Sequence, residues 1–238
     1  MSNLNKNIIG NGFIAKKFNN YKSFLKKKNY CIYAAGVSNS SLKNKKQFLR
    51  DYYKVKKFIK YQHNNKLVYI STCTIFDPNR KKTQYIKNKI KIENFIKKNS
   101  DNYLIIRYPE IIGYNKNKHT LINYFYNHIR NNKKFKVFIN AKRNLVNIDD
   151  AIKLTLYFLK HNSTLKEINI ANLIYSSPIK IINILENLLK KKSICEFDFK
   201  KVKQWKIDNS VNKNILNKIK IKFNSHYLKN SLKKHYKK

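Results

Sequence analysis

Leu67-Val-Tyr-Ile70 is a run of apolar β-formers with no 3.6-residue period, and the segment Thr83 to Lys98 beyond it sets Tyr85, Ile92, Phe95 and Ile96 at helical spacing. A fully apolar short strand belongs in the middle of a parallel sheet, buried on both faces. The alternation recurs. Asn29-Tyr-Cys-Ile-Tyr33 and Asn102-Tyr-Leu-Ile-Ile-Arg107 read as further strands, and residues 42–62 read as a helix with Phe48, Leu49, Tyr52, Tyr53, Val55, Phe58 and Ile59 on its apolar stripe. Strands and helices in turn predict an α/β fold built on a parallel sheet.

The chain has only four glycines, Gly10, Gly12, Gly36 and Gly113, which marks these as places where other residues do not serve. Asn7-Ile8-Ile9 is a short strand entering Gly10-Asn-Gly-Phe-Ile-Ala15, a G-x-G-x-x-A turn before a Lys-rich helical stretch to about Lys28. In such a turn the first glycine permits the tight bend, the second lets backbone approach a pyrophosphate, and Ala15 allows close helix packing. The next strand ends in Ala34-Ala-Gly36, small residues that leave room for a flat ligand at the sheet edge. Gly12 and Gly36 stand too close in sequence for an extra βαβ unit, so a strand pair of the usual dinucleotide fold is missing. No acid occurs before Asp51, so the carboxylate that ordinarily holds the adenosine ribose is missing too.

Downstream, 63–66 read as a turn, 135–139, 144–148 and 165–172 as extended, and 120–130 and 179–190 as helices, the latter opened by Pro178. Asp149-Asp150 read as the cap of a helix to about His161, and Lys233 to Lys238 as a frayed, solvated end.

The net charge of +41 raises the question of nucleic acid. Of 53 basic residues only Arg50, Arg80, Arg107, Arg130 and Arg143 are arginine, the residue whose fork reads phosphates and bases. Lys, Asn, Ile, Tyr and Phe abound while Gly, Ala and Pro are scarce, the signature of adenine- and thymine-rich codons, so composition bias accounts for the charge without a partner. Three scattered cysteines, Cys31, Cys73 and Cys195, suit neither a disulfide framework nor zinc, and no metal site is expected. With no signal peptide and no apolar run of bilayer length, the expected location is the cytoplasm, with no membrane and no specific nucleic-acid partner.

Chemistry concentrates where the strand from Leu67 ends. Ser71 and Thr72 present hydroxyls there, and Tyr85 and Lys89, four apart, share one helix face, an arrangement suited to proton transfer. An ammonium near the phenol favours the phenolate.

Gly10-Asn-Gly-Phe-Ile-Ala15, Ala34-Ala-Gly36, Ser71-Thr-Cys-Thr-Ile-Phe76, Tyr85-x-x-x-Lys89, Ile106-Arg-Tyr-Pro-Glu-Ile-Ile-Gly113, Arg143-Asn-Leu-Val-Asn-Ile-Asp-Asp-Ala151 and Glu167-Ile-Asn-Ile-Ala171 occur in this order across nearly the whole chain. The set resembles the extended short-chain dehydrogenase/reductase superfamily, the sugar-nucleotide epimerases, dehydratases and reductases. The resemblance implies a Rossmann-like, doubly wound parallel sheet, shortened by the missing strand pair, with a small C-terminal substrate lobe. Residues 1–238 then form one dinucleotide-binding domain, with a core of about 5–113 and 144–172 and a lobe of about 114–143 and 173–238. It implies Thr72, Tyr85 and Lys89 as the catalytic set, with Tyr85 as acid/base. It places Gly10, Gly12, Phe13, Ile14, Ala35, Gly36, Tyr85, Lys89 and Tyr108 at the cofactor, and Thr72, Glu110 and Arg143 at the substrate, with Glu110 standing where asparagine is frequent.

The implied cofactor is NAD or NADP, with Lys16 and Lys17 inclining the reading to NADP. The implied substrate is a nucleotide sugar or similar anionic hydroxy or keto metabolite, and a homodimer is a possible assembly. Two other readings fit the residues: a dinucleotide-binding protein without chemistry, and a polyanion- or RNA-binding protein.

Overall fold

The computed structural model describes residues 7–39, 42, 44–61, 65–80, 83–161, 164–213 and 215–237. The chain divides into two compact units, 1–108 with 155–170, and 109–154 with 171–238. Residues 109–113, 144–154 and 171–172, read from sequence as core, thus group with the second unit.

In the first unit, β1 (Ile8–Ile9) is followed by α1 (Phe13–Phe18), a 3-10 turn and α2 (Lys22–Lys27), so the Lys-rich stretch is two short helices. Then come β2 (Tyr30–Tyr33), α3 (Lys45–Tyr61), β3 (Lys66–Thr72), α4 (Gln84–Asn99) and β4 (Tyr103–Tyr108). After residues of the other unit, the end of α6 (Ile148–His161) leads to β8 (Glu167–Asn169), shorter than the extended piece expected over 165–172. All five strands are parallel, in the order β1-β2-β3-β4-β8. β1 pairs directly with the strand ending in Ala34-Ala-Gly36 and forms the edge of the sheet, as the shortened sequence anticipates. Residues 63 and 64 of the turn expected at 63–66 lie outside the described residues, and Lys66 is already in β3.

Parallel pairing sets Cys31, Leu67 and Tyr103 side by side, and likewise Tyr33, Tyr69 and Ile105. Alternation along the strands turns these six to one face, where Val55 and Phe58 of α3 and Ile92 and Ile96 of α4 pack on them. On the other face the Tyr30 hydroxyl donates to the Leu159 carbonyl of α6 at 2.8 Å, and its ring meets Phe24 of α2. Helices therefore cover both faces, which explains why the middles of these strands are apolar. The stripe of α3 is narrower than expected: Leu49 is 46% exposed and Tyr53 60%, because only one helical face reaches the sheet.

The second unit contains β5 (Glu110–Ile112), α5 (Leu121–Arg130), β6 (Phe135–Phe138), β7 (Arg143–Asn147), the start of α6, β9 (Tyr175–Ser176), α7 (Pro178–Leu189), β10 (Cys195–Asp198), α8 (Ser210–Lys213) and α9 (Tyr227–Tyr236). β5 and β9 flank β7, and β6 pairs with β10. Ser177 caps α7, accepting from the Lys180 N–H, with Pro178 at its first turn where no amide hydrogen is needed.

One expectation is overturned here. Lys233 to Tyr236 are not a frayed end: Leu228, Leu232 and Tyr236 of α9 join α5 and α7 in the core, and the Tyr236 hydroxyl donates to Asn123 Oδ1 at 2.6 Å. Asp149 and Asp150 stand in the first turn of α6, as expected, and have further partners there. Asn147 Oδ1 accepts the Asp149 N–H at 2.9 Å, while Asp149 pairs with Lys234 and Asp150 accepts from the Tyr227 hydroxyl, so the two acids anchor α9. Among the described residues no helix is long and apolar enough to cross a membrane, and the three cysteines form no disulfide, Cys31 and Cys73 being buried.

Candidate active site

The carboxyl end of β3 carries the site. Ser71 and Thr72 extend that strand and, being adjacent, point to opposite faces. Ser71 turns toward α4 and donates to Glu93 Oε1 at 2.5 Å. Thr72 is hydrogen-bonded to Tyr85, in the first turn of α4, and to Thr74 Oγ1 at 2.9 Å. The two neighbouring hydroxyls therefore part, one to a structural carboxylate and one to the phenol. Thr83 starts α4 by accepting the Ile86 N–H on its side chain, which fixes the turn from which Tyr85 projects.

Lys89, one turn further along α4, is 4% exposed. Its Nζ donates to the Tyr69 hydroxyl at 3.1 Å and to the Ile70 carbonyl at 3.3 Å. The ammonium also lies 4.8 Å from the centre of the Tyr69 ring. Burial lowers the Lys89 pKa, opposed by the charges of Asp51 and Glu93. Tyr85 departs from the expected activation: burial pushes its pKa up to about 12, outweighing the lowering by the Thr72 hydrogen bond, so the phenol holds its proton at neutral pH.

The glycines explain the floor of the site. Gly10 has φ +128°, and a Cβ there would lie 2.6 Å from the Ala34 carbonyl oxygen and 3.0 Å from the Ala35 nitrogen, so the turn presses against the end of β2. A Cβ on Gly12 would meet nothing within 4 Å, which leaves its backbone open to a ligand. At Gly36 a Cβ would sit 2.7 Å from Lys89 Nζ and 3.3 Å from Asp51 Oδ2. A bare, open turn backed by small strand-end residues and a lysine fits the pyrophosphate and ribose of a dinucleotide. Phe13 and Ile14 lie in α1 immediately after that turn.

Tyr108 is placed differently from its expected role. It is 2% exposed and its hydroxyl bonds Thr155 Oγ1 at 2.7 Å, with burial raising its pKa. Glu110 and Arg143 belong to the second unit, where Nη1 of Arg143 donates to Oε1 of Glu110 at 3.2 Å. Glu110 Oε2 and Arg143 Nε are sealed without a partner.

Sequence reasoning missed four buried polar residues of the first unit: Tyr33, Asp51, Glu93 and Arg107. Glu93 takes the Arg107 guanidinium through Nε at 3.1 Å and Nη2 at 2.6 Å, and Nη2 reaches Glu167 Oε2 at 2.5 Å. The available signal was scarcity, since the chain has only 12 acids and spends Asp51 and Glu93 in its interior.

The model of the NAD dependent epimerase/dehydratase family matches residues 30–171, more than half of the chain, beginning after the glycine turn. Among solved structures, UDP-glucuronic acid 4-epimerase from Bacillus cereus, in complex with UDP-glucuronic acid and NAD, aligns with a TM-score of 0.68 at 18% identity, over 95% of this chain and 77% of that one. UDP-N-acetylglucosamine 4-epimerase from the same organism gives 0.63 at 16%, over 84% and 74%. RMD from Pseudomonas aeruginosa, complexed with NADPH, gives 0.65 at 15%, over 84% and 77%. At these identities the likeness is one of fold. A search of curated protein sequences returns no match.

Proposed function

The chain belongs to the NAD dependent epimerase/dehydratase family, and from that premise we propose that it is an NAD(P)-dependent epimerase, dehydratase or reductase acting on a nucleotide sugar or a similar anionic hydroxy or keto metabolite. The observation that carries the reading is the Thr72–Tyr85 hydrogen bond at the end of β3, with Lys89 one turn on and Gly36 left bare beside it.

Gly10, Gly12, Phe13, Ile14, Ala35, Gly36 and Lys89 hold the dinucleotide. The exposed Lys16 after the turn suits a 2′-phosphate, which favours NADP. When bound, the nicotinamide supplies hydride exchange at the substrate carbon. Thr72 orients the substrate oxygen, and Tyr85 moves the proton at its hydroxyl oxygen. The protonated phenol donates to a ketone oxygen; in the opposite direction the phenolate accepts the proton of an alcohol.

Calorimetric titration at physiological salt should show binding of NADP or NAD, and addition of a nucleotide sugar from a panel should change nicotinamide absorbance. Dinucleotide binding with no absorbance change against any member would favour the reading without chemistry. Salt-resistant RNA binding that no dinucleotide blocks would favour the polyanion reading.

Glu110 adds a prediction. Its carboxylate neutralises Arg143, which the family resemblance places at the substrate and which we propose meets the diphosphate. Glu110→Gln is expected to tighten nucleoside diphosphate binding about tenfold, about 1.4 kcal/mol, measured by calorimetry. Weaker binding would instead make Glu110 a direct substrate ligand.

A further inference from the structure

Asp51 is the first acid in the sequence and is 1% exposed, on α3. Its Oδ1 accepts from the Tyr33 hydroxyl at 2.9 Å, whereas Oδ2 is sealed from solvent and has no hydrogen-bond partner. A buried carboxylate oxygen left unpaired is costly unless an opposite charge stands nearby. One does. The position a Cβ would take on Gly36 is 3.3 Å from Asp51 Oδ2 and 2.7 Å from Lys89 Nζ, so both charges border the space that a side chain at Gly36 would fill. Two of the three ammonium hydrogens are engaged by Tyr69 and Ile70.

We propose that Asp51 is a positioning residue, a sealed counter-charge behind Gly36 that keeps the Lys89 ammonium charged and directed at the dinucleotide site. It acts through Lys89, since its own oxygen is closed to any ligand. Gly36 then has a second duty besides making room for a ligand: it removes the side chain that would fill the space both charges border. The other groups facing Lys89 do not replace Asp51. Tyr33 from β2 and Tyr69 from β3 are both held neutral, burial raising each pKa first and Asp51 adding to it. On α4 itself Tyr85 keeps its proton, and Glu93 is occupied by Arg107 of β4 and by Ser71. Arg50 bears on Tyr33 and Arg80 on Tyr85. The direction of the Lys89 shift agrees, with burial lowering its pKa and Asp51 the largest influence holding it up.

The inference rests on the reading that Lys89 holds a dinucleotide, and its test separates the two. The affinity for NAD and NADP is measured by calorimetry across pH at physiological salt. Wild-type affinity should fall as pH rises through the Lys89 pKa. In Asp51→Asn, the same size but uncharged, that midpoint should move about one pH unit lower, by loss of a nearby opposite charge. Lys89→Arg, charged throughout, should have no such midpoint, and adding Asp51→Asn to it should restore none. If Asp51→Asn does not fold, Gly36→Ala serves, because its Cβ displaces the ammonium from Asp51 and should lower the midpoint in the same sense.

An unmoved midpoint in either variant overturns the proposal, even if the melting temperature falls, since a merely structural role would lower stability alone. A pH-independent wild-type affinity overturns it too. Failure to bind any dinucleotide at any pH defeats the functional reading itself, and this one with it.

Discussion

Tyr85→Phe is expected to lower turnover of an identified substrate by about 10²–10⁴-fold, the usual contribution of a positioned general acid or base. Dinucleotide affinity should stay within about twofold, because the variant removes one oxygen and leaves Lys89, Gly10, Gly12 and Gly36 in place. The test is steady-state kinetics beside calorimetry on the same preparation. The hydroxyl lost is the one bonded to Thr72, and no other phenol is ready to replace it: Tyr69 receives Lys89 on its oxygen and is fully buried, and Tyr33 is committed to Asp51. Unchanged turnover would remove Tyr85 from the mechanism. Reduced turnover with equally reduced dinucleotide affinity would assign the loss to binding.

Arg107→Met should be the most destabilising of the charge-removing substitutions, at about 3–5 kcal/mol, because it leaves an uncompensated carboxylate in the interior. Arg107 and Glu93 are both buried and joined by three hydrogen bonds, and Ser71 adds a fourth to Glu93. The same guanidinium holds Glu167 of β8, which Lys97 of α4 also binds at 2.6 Å, so one side chain of β4 ties β8 and α4 to its own strand. Equilibrium denaturation of the first unit's signal gives the loss, and Arg107→Met with Glu93→Met should recover much of it by removing both charges.

Acid titration supplies a check with a definite sign. Burial pushes the Glu167 pKa up, but hydrogen bonds from Lys97 and Arg107 outweigh it and hold the carboxyl below its ordinary value. A depressed native pKa contributes stability above the unfolded value, about 4.3, which is lost as pH falls through the native one. Wild type should therefore weaken below about pH 4 more steeply than Arg107→Met, in which that support is already reduced.

The strands were legible because burial on both faces makes their central residues apolar, with polar groups confined to their ends, and α4 because its apolar residues keep one period. That Tyr85 and Lys89 share one face of a helix following a strand end with Ser71 and Thr72 was legible from spacing, whereas the roles proposed for Thr72, Tyr85 and Lys89 came with the family resemblance. Asp51 was not. In α3 it sits among lysines as a solvated acid would, and its burial depends on Tyr33 and Gly36, which reach it from the neighbouring strand and loop. The Glu110–Arg143 pair was hidden for a similar reason, since it is created by the parallel register of β5 on β7, which sets Glu110 opposite Leu145. Lysines masked α9, although Leu228, Leu232 and Tyr236 recur every fourth residue.

The short edge strand has a consequence for how the protein behaves in a crowd of its own copies. Removing a strand pair exposes a new sheet edge, and an exposed edge is a template for adding foreign strands, acutely so in a chain rich in Ile, Tyr and Phe. Among the described residues that edge is β1, of two residues, and the opposite edge is β8, of three. Neither offers a row of free amides and carbonyls long enough for stable pairing, while the seven-residue β3 lies enclosed between neighbours. With a net charge of +41 repelling like molecules, the shortened sheet is guarded against fibril-like growth by brevity at its margins and by charge at a distance.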